Sequence, residues 1–192
     1  MTTNLQTDAA NKFYTDSTLT AKFDARIQNV LKYINPNGLN QAWGSATDVL
    51  MAVDIQNEPF LQARNLLQTP TGFDWLCGRA QTIKSVAPNL LVSTGGIGGS
   101  NDRGTYGPNT SQNLPKWLYG GACPQIDIQA LHVYDNQFSV EQLPPYGDDT
   151  SKFFMVEEWT ASEIDTTAQK NLITSGAQTL NDRGMPWVSS PS

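Results

Sequence analysis

The stretch MAVDIQNEPF, residues 51–60, runs from apolar residues directly into an Asn-Glu-Pro triplet. Its apolar part predicts a buried strand over residues 49–56, which the following proline ends. A strand with a purely structural role more often ends in a glycine or asparagine turn. Acidic residues at the carboxyl ends of buried parallel strands are typical of catalytic sites in α/β barrels. Glu58 is therefore the first candidate catalytic residue.

The composition predicts one globular domain that spans residues 1–192. The contents of 39% hydrophobic and 16% charged residues are ordinary for a chain with a sizeable core. The net charge of −6 argues against a nucleic-acid partner, which would call for a basic surface. No apolar run approaches the roughly 18–20 residues of a membrane span, and the first residues lack the features of a signal peptide. We therefore expect neither a nucleic-acid partner nor a membrane partner.

The cysteine and histidine content argues against a metal site. Cys77 and Cys123 are too few and too far apart in sequence for a zinc site, and His132 is the only histidine. The two cysteines form either two buried thiols or one disulfide, and both alternatives stay open at this point. We expect no metal and no cofactor.

Segments with helical and with β periodicity alternate along the chain. Helices are predicted over residues 17–34, 72–89 and 166–184, and strands over 49–56, 90–94, 126–134, 152–159 and 185–190. The residues before 17 are interpreted as a polar stretch, and residues 95–124 as a long loop around the site. The alternation predicts a parallel sheet built from βα units, with five strands.

A second pair of acids lies in FFMVEEWT, residues 153–160, where Glu157 and Glu158 end another predicted strand. Glycoside hydrolysis with retention of configuration needs two carboxyl groups about 5–5.5 Å apart, one as nucleophile and one as acid/base. Neighbouring parallel strands around a barrel can bring such distant residues together. His132 and Tyr134 end a third predicted strand two residues apart, hence on one face, where they could hold the nucleophile's carboxylate.

The order of these motifs resembles the C-terminal part of retaining glycoside hydrolases of clan A. It is most similar to family 5, which includes cellulases and mannanases. The matching motifs are those of strands four, six, seven and eight: Asn57-Glu58-Pro59, Leu131-His132-Val133-Tyr134, Val156-Glu157-Glu158-Trp159 and Gly184-Met185-Pro186-Trp187. The resemblance implies an α/β fold of the (β/α)8 TIM-barrel type that is incomplete, with about five βα units and the first three strands missing.

The resemblance assigns both catalytic roles. Glu58 would be the acid/base and Glu158, which directly precedes an aromatic residue, the nucleophile. Because adjacent strand residues point to opposite faces, we expect only one of Glu157 and Glu158 to face the substrate. The substrate-binding residues that the resemblance implies are Asn57, His132, Tyr134 and Trp187, and a core position for Trp187 is an equal alternative.

The implied function is hydrolysis of O-glycosidic bonds in β-linked polysaccharide or oligosaccharide by double displacement, with carbohydrate as the partner. A full barrel takes roughly 250 residues, so we expect a truncated chain whose full-length parent is extracellular and monomeric. In such a parent a disulfide between Cys77 and Cys123 is expected. The alternative is a catalytically inactive fragment or a carbohydrate-binding relic of such an enzyme.

Overall fold

The described residues form helices and parallel strands, so they belong to the α/β class that the sequence predicts. The computed structural model describes residues 3–36, 38, 40–60, 62–67, 69–96, 123–133, 152–159 and 166–188. The chain forms two compact units, one of residues 1–94 with 123–127 and the other of residues 95–122 with 128–192. The α/β fold class is confirmed, whereas the assignment of residues 1–192 to one domain stays a prediction.

The described chain begins with helices, and strands and helices follow. The described part of the first unit contains α1 (Thr3–Thr15), α2 (Ser17–Lys32), a 3-10 helix (Trp43–Ser45), β1 (Ala52–Asp54), α3 (Arg64–Leu67), α4 (Pro70–Val86) and β2 (Leu91–Ser93). The described part of the second contains β3 (Ile128–Val133), β4 (Phe153–Trp159) and α5 (Thr166–Asp182). No helix within these described residues is long and apolar enough to cross a membrane.

Helix α2 begins where the sequence predicts because Asp16 caps it. The Asp16 carboxylate accepts hydrogen bonds from the backbone N–H groups of Thr18 at 2.8 Å and Leu19 at 3.1 Å. These are donors that the first turn of a helix leaves unpaired. The helix ends at Lys32, just before the predicted Asn-Pro-Asn-Gly stop.

Helix α4 provides much of the core of the first unit. Pro70 at its first position and the hydroxyl of Thr69, which accepts the N–H of Gly72 at 3.3 Å, define its start. Because Arg79 is buried, its guanidinium pairs with the Asp24 carboxylate of α2 at 2.7 and 3.1 Å. The buried positions of α4 recur at helical spacing: Gly72, Trp75, Leu76, Arg79, Ala80 and Ile83.

Residues Thr3–Thr15 form helix α1, an element that the sequence analysis did not predict in this polar stretch. Phe13 and Tyr14 join an aromatic cluster with Phe23, Phe60 and Trp75, in which contacting ring centroids are 4.2 to 5.8 Å apart. Burial of these rings stabilises a segment whose own apolar pattern is weak. Tertiary contacts here override local propensity.

Strand β1 is shorter than predicted and covers Ala52–Asp54 instead of residues 49–56. It pairs in parallel with β2, and the N–H of Ile55 adds one more bond, to the carbonyl of Ser93 at 2.9 Å. After Ile55 the chain turns. Glu58 therefore lies in a turn beyond the strand and not at its last position.

Residues 123–127 are tied to the first unit through Asp127 and a disulfide. The N–H of Asp127 donates to the carbonyl of Val92 at 2.9 Å, and its carboxylate accepts the N–H of Val92 at 2.8 Å. The same carboxylate pairs with Lys84 at 2.7 Å. Cys77 of α4 is bonded to Cys123. Of the two alternatives left open by the sequence, the structure contains the disulfide.

The second unit has its helix α5 after the β3–β4 pair, and a glycine ends that helix. Gly184 has a φ of 63°, and its N–H donates to the carbonyl of Asn181 at 2.9 Å. The N–H of Met185 donates to the carbonyl of Leu180, also at 2.9 Å. Glycine reaches this left-handed conformation without a Cβ penalty, which makes it the usual residue at such helix ends.

The predicted fifth strand, residues 185–190, is a single parallel bridge between Val156 and Trp187 in the described part of the chain. The N–H of Val156 donates to the carbonyl of Pro186 at 3.0 Å, and the N–H of Val188 donates to the carbonyl of Val156 at 2.8 Å. The prediction of a regular strand there is therefore wrong for residues 185–188. Proline lacks the N–H that a longer ladder needs.

The disulfide predicts a measurable loss of stability on its removal. The cysteines are 46 residues apart, and the chain-entropy description gives about 4 kcal/mol for a loop of this length. Replacing both, Cys77→Ser with Cys123→Ser, should lower the free energy of unfolding by about 2–4 kcal/mol in urea titrations. The reduced wild-type chain serves as the control and should match the double variant. Two free thiols in protein purified from an oxidising compartment would contradict the disulfide.

Candidate active site

The turn Gln56–Phe60 carries the Asn-Glu-Pro triplet and has an unusual backbone. Glu58 has a φ of 47° and Phe60 a φ of 65°, both in the left-handed region that residues other than glycine rarely adopt. Pro59, between them, is buried. Such conformations cost energy and occur most often at functional sites, where the surrounding structure enforces them.

A pocket of about 350 Å³ lies directly against this turn in the first unit. It brings together the two site residues that the sequence predicts there, Asn57 and Glu58. The remaining lining residues are Ala10, Phe13, Tyr14, Gln56 and Gln62. The α1 wall of the pocket was not predicted, because that segment was interpreted as a polar stretch. The adjacent aromatic residues Phe13 and Tyr14 are the signal that would have indicated a packed segment.

Tyr14 links α1 to the turn through its hydroxyl group. The hydroxyl accepts a hydrogen bond from the N–H of Phe60 at 2.8 Å and donates one to Oε1 of Gln56 at 3.3 Å. Burial raises the pKa of Tyr14, and the two hydrogen bonds only partly offset this effect. The phenol is therefore neutral throughout the physiological range, and only a neutral phenol can donate and accept together.

In the second unit, His132 lies between two carboxylates. Its Nδ1 is 3.4 Å from Oε2 of Glu158, and its Nε2 is 3.7 Å from Oε2 of Glu157. The His132 side chain is only 1% exposed, whereas the side chains of Glu157 and Glu158 are 14% and 30% exposed. The structure thus brings together the predicted residues His132 and Glu158. Of the two glutamates, Glu158 has the more accessible side chain.

A bulge in β4 explains how both carboxylates reach one imidazole. Leu131 lies opposite Val156, but the next residue, His132, lies opposite Glu158, so that β4 contains one extra residue, Glu157. A bulge of this kind interrupts the alternation of side chains and redirects them. The strict alternation on which the sequence analysis relied is thus interrupted at Glu157, whereas the expectation that only one of Glu157 and Glu158 faces the substrate stays a prediction. The choice of Glu158 as nucleophile stays a prediction.

Gly96 allows the His132 ring to take this position. Gly96 has a φ of 66°, and a Cβ atom on it would overlap the imidazole ring. A side chain at position 96 would therefore strain the backbone and displace the ring as well. The sequence predicts a long loop that begins at residue 95, but it does not show which side chain approaches that loop.

Of the predicted substrate-binding residues Tyr134 and Trp187, the structure describes only Trp187. Tyr134 lies outside the described residues. Trp187 is half-buried, and its indole N–H donates to Oδ1 of Asn181 at 3.0 Å, which ties it to the end of α5. Both its role as a sugar platform and its role as a core residue stay predictions.

Comparison with known proteins identifies the family. The sequence profile described as "GH family 5 beta-mannosidase-like" matches residues 2–141, more than half of the chain. The chain belongs to glycoside hydrolase family 5. The resemblance inferred from the motifs is thereby confirmed. A search of curated proteins gives no match.

The fold of this family 5 chain is similar to several solved mannanases. An endo-1,4-beta-mannanase from Rhizomucor miehei superposes with a TM-score of 0.70 at 22% identity, over 93% of this chain and 54% of that one. A hyperthermostable endo-1,4-beta-D-mannanase from Thermotoga petrophila gives a TM-score of 0.68 at 18% identity, over 93% and 55%. A Rhizomucor miehei family 5 mannosidase variant bound to mannosyl-fructose gives 0.58 at 18%, over 96% and 49%.

These comparisons support a fold that corresponds to part of a TIM barrel. The chain spans about half the length of the solved structures that it matches, with 54% and 55% of the two mannanases covered. The expected number of βα units stays a prediction.

The contact between Gly96 and His132 gives a testable variant. Gly96→Ala should displace the imidazole from Glu158 and lower the free energy of unfolding by about 1–3 kcal/mol, since it adds both backbone strain and overlap. Because His132 is the only histidine, its imidazole NMR signals are unambiguous and should shift clearly.

Gly78→Ala is the matched control for this variant. Gly78 lies within α4, and a Cβ there meets nothing within 4 Å, so alanine should leave the imidazole signals unchanged and stabilise the helix by up to about 1 kcal/mol. Unchanged His132 signals in Gly96→Ala would contradict the close approach.

Proposed function

We propose that this protein is part of a retaining β-glycosidase that hydrolyses β-linked polysaccharide by double displacement. The observation that carries the proposal is the family 5 match over residues 2–141, which includes Glu58 at the motif position of the acid/base. Glu158 lies beyond the matched residues and takes its role from the Glu-Trp motif and from its contact with His132.

The reaction proceeds in two steps, and Glu58 and Glu158 each take part in both. Glu58 donates its proton to the glycosidic oxygen as the Glu158 carboxylate attacks the anomeric carbon, which releases the leaving sugar and forms a glycosyl-enzyme ester. Glu58, now a carboxylate, takes a proton from water, whose oxygen attacks the same carbon. That second attack releases the sugar and regenerates both groups.

The pocket beside Glu58 has the chemistry of a sugar site. Its volume of about 350 Å³ lies within the range of about 300–1,000 Å³ for small-molecule pockets. Phe13 offers an apolar ring for the C–H face of a pyranose, and the amide groups of Gln56, Asn57 and Gln62 offer donors and acceptors for hydroxyl groups. Asn57 is the residue proposed for the sugar 2-hydroxyl.

His132 supports the nucleophile. The Nδ1 atom of His132 lies 3.4 Å from Oε2 of Glu158, so an N–H there can hold this carboxylate in one orientation for its attack. A doubly protonated imidazole has an N–H on each side and so can face Glu157 and Glu158 together. Tyr134 is proposed to assist at the same carboxylate, as the family motif implies.

A β-1,4-linked mannan is the first substrate to test, because solved structures of similar fold include endo-1,4-beta-mannanases. The Cys77–Cys123 disulfide supports an extracellular site of action, since disulfides persist in oxidising compartments. We propose that the complete enzyme acts as a monomer.

The activity test uses the 192-residue chain alone and the same chain joined to the first three βα units of a mannanase of similar fold. Both are assayed on mannan, cellulose and aryl β-glycosides. We expect the joined chain to turn over mannan and the chain alone to do so poorly or not at all. Catalytic groups need support to within about 0.5 Å, and the resemblance assigns much of that support to the added units.

Glu158→Gln should abolish turnover by the joined chain, and Glu58→Gln should reduce it by about 10²–10⁴-fold. Glu157→Gln is the matched control and should cost far less. Equal losses for Glu157→Gln and Glu158→Gln would contradict the nucleophile assignment. Binding of mannan without hydrolysis by both chains would favour the carbohydrate-binding relic. Robust Glu158-dependent turnover by the chain alone would show that its residues already suffice for a site.

A further inference from the structure

The hydroxyl group of Tyr14 bridges both ends of the turn that carries Glu58. It is hydrogen-bonded to the backbone N–H of Phe60 at one end and to the side chain of Gln56 at the other. We propose that Tyr14 is a positioning residue, which acts through this turn to fix the direction of the Glu58 carboxyl group. Its catalytic consequence rests on the proposed function, whereas its effect on the turn does not.

The turn needs such an external restraint because its backbone is strained. Glu58 and Phe60 both have positive φ values, and neither is a glycine. Left to local preferences, both residues would leave the left-handed region, and the Glu58 side chain would then point elsewhere. Pro59, which lies between these two residues, cannot relieve the strain by changing its own φ, since its ring fixes that angle.

The two hydrogen bonds restrain the residues on either side of Glu58. The Phe60 N–H is buried and depends on the Tyr14 oxygen at 2.8 Å, so that loss of this oxygen would leave a buried donor unpaired. The bond to Oε1 of Gln56, at 3.3 Å, is longer and contributes less. Phe60 is therefore the stronger point of attachment.

The Tyr14 ring is fixed in turn by its neighbours. Its centroid lies 4.2 Å from that of Phe60, 4.9 Å from that of Trp75 and 5.0 Å from that of Phe13. The residue is only 8% exposed. A ring packed on three sides has little rotational freedom, so its oxygen is held at one place relative to the turn.

The protonation state of Tyr14 suits this role. Donation to Gln56 and acceptance from Phe60 together require the neutral phenol. Because burial raises the pKa of Tyr14, the phenol keeps its proton even in alkaline solution. The restraint on the turn is thus independent of pH over the range in which the two proposed catalytic acids would operate.

Tyr14→Phe tests the proposal in the full chain without substrate. The variant keeps the packed ring and removes only the oxygen. The Phe60 amide should exchange with solvent about tenfold faster or more, as expected for loss of its hydrogen bond. The three-bond HN–Hα couplings of Glu58 and Phe60 should leave their left-handed values, and the side-chain carboxyl ¹³C signal of Glu58 should shift.

Two controls separate positioning from general destabilisation. Tyr33→Phe removes a hydroxyl from a tyrosine that is 54% exposed and should change none of these signals. Asp24→Asn weakens the Arg79 ion pair and should lower the stability of the first unit without altering the turn. In the joined chain, Tyr14→Phe should lower kcat about tenfold or more with little change in KM, because the variant disturbs the direction of the Glu58 carboxyl group and leaves substrate binding intact.

Unchanged exchange at Phe60 and unchanged couplings at Glu58 in Tyr14→Phe would overturn the proposal, whatever the chain's activity. Changes of the same size in Asp24→Asn would also overturn it, since they would reflect destabilisation alone. Altered signals in Tyr14→Phe, combined with full activity of Glu58→Gln, would instead contradict the proposed function and leave the turn restraint supported.

Discussion

A neutral phenol can donate and accept a hydrogen bond at the same time, and the turn that carries Glu58 depends on one phenol that does both. Tyr14 holds the backbone at Phe60 and the side chain at Gln56, while the aromatic cluster around Trp75 holds Tyr14. In the first unit, non-directional packing of aromatic rings fixes the position of the Tyr14 ring. The directional hydrogen bonds of its hydroxyl group then fix the turn and the direction of the Glu58 carboxyl group.

The second unit reaches a comparable result by a different route. One extra residue in β4 turns two neighbouring glutamates toward one buried imidazole, and the absence of a side chain at Gly96 leaves room for that imidazole. The bulge interrupts the ladder at Glu157, and the strained backbone of the first unit includes Glu58; both residues lie in family motifs.

The sequence predicted the parts of the fold that follow from local chemistry. The start of a helix at residue 17, the helix that contains Trp75 and the strands around His132 and Glu158 all have a local signal in the sequence, and the structure contains them. Helix α1 and the bulge at Glu157 were missed because each depends on a partner distant in sequence. A period-2 pattern cannot reveal a bulge, since the extra residue shows itself only in the register against β3.

The candidate site was predictable to the same extent. Motif order pointed to Asn57, Glu58, His132 and Glu158, and the family match over residues 2–141 confirms the family behind those motifs. Tyr14 and Gly96 carry no motif. The Tyr14 hydroxyl group lies 2.8 Å from the amide of Phe60, and the His132 ring occupies the space that a Cβ on Gly96 would need. Only the three-dimensional structure reveals these two contacts.

The most direct test of the account is to trap the proposed covalent intermediate. A 2-deoxy-2-fluoro-β-mannosyl fluoride slows breakdown of the glycosyl-enzyme, so that the preparation that turns over mannan should gain the mass of one fluorosugar. Peptide mapping should then locate the sugar on the Glu158 carboxylate, in the segment FFMVEEWT. A label on Glu157, or turnover of mannan with inversion of configuration and no label, would contradict the retaining mechanism as assigned.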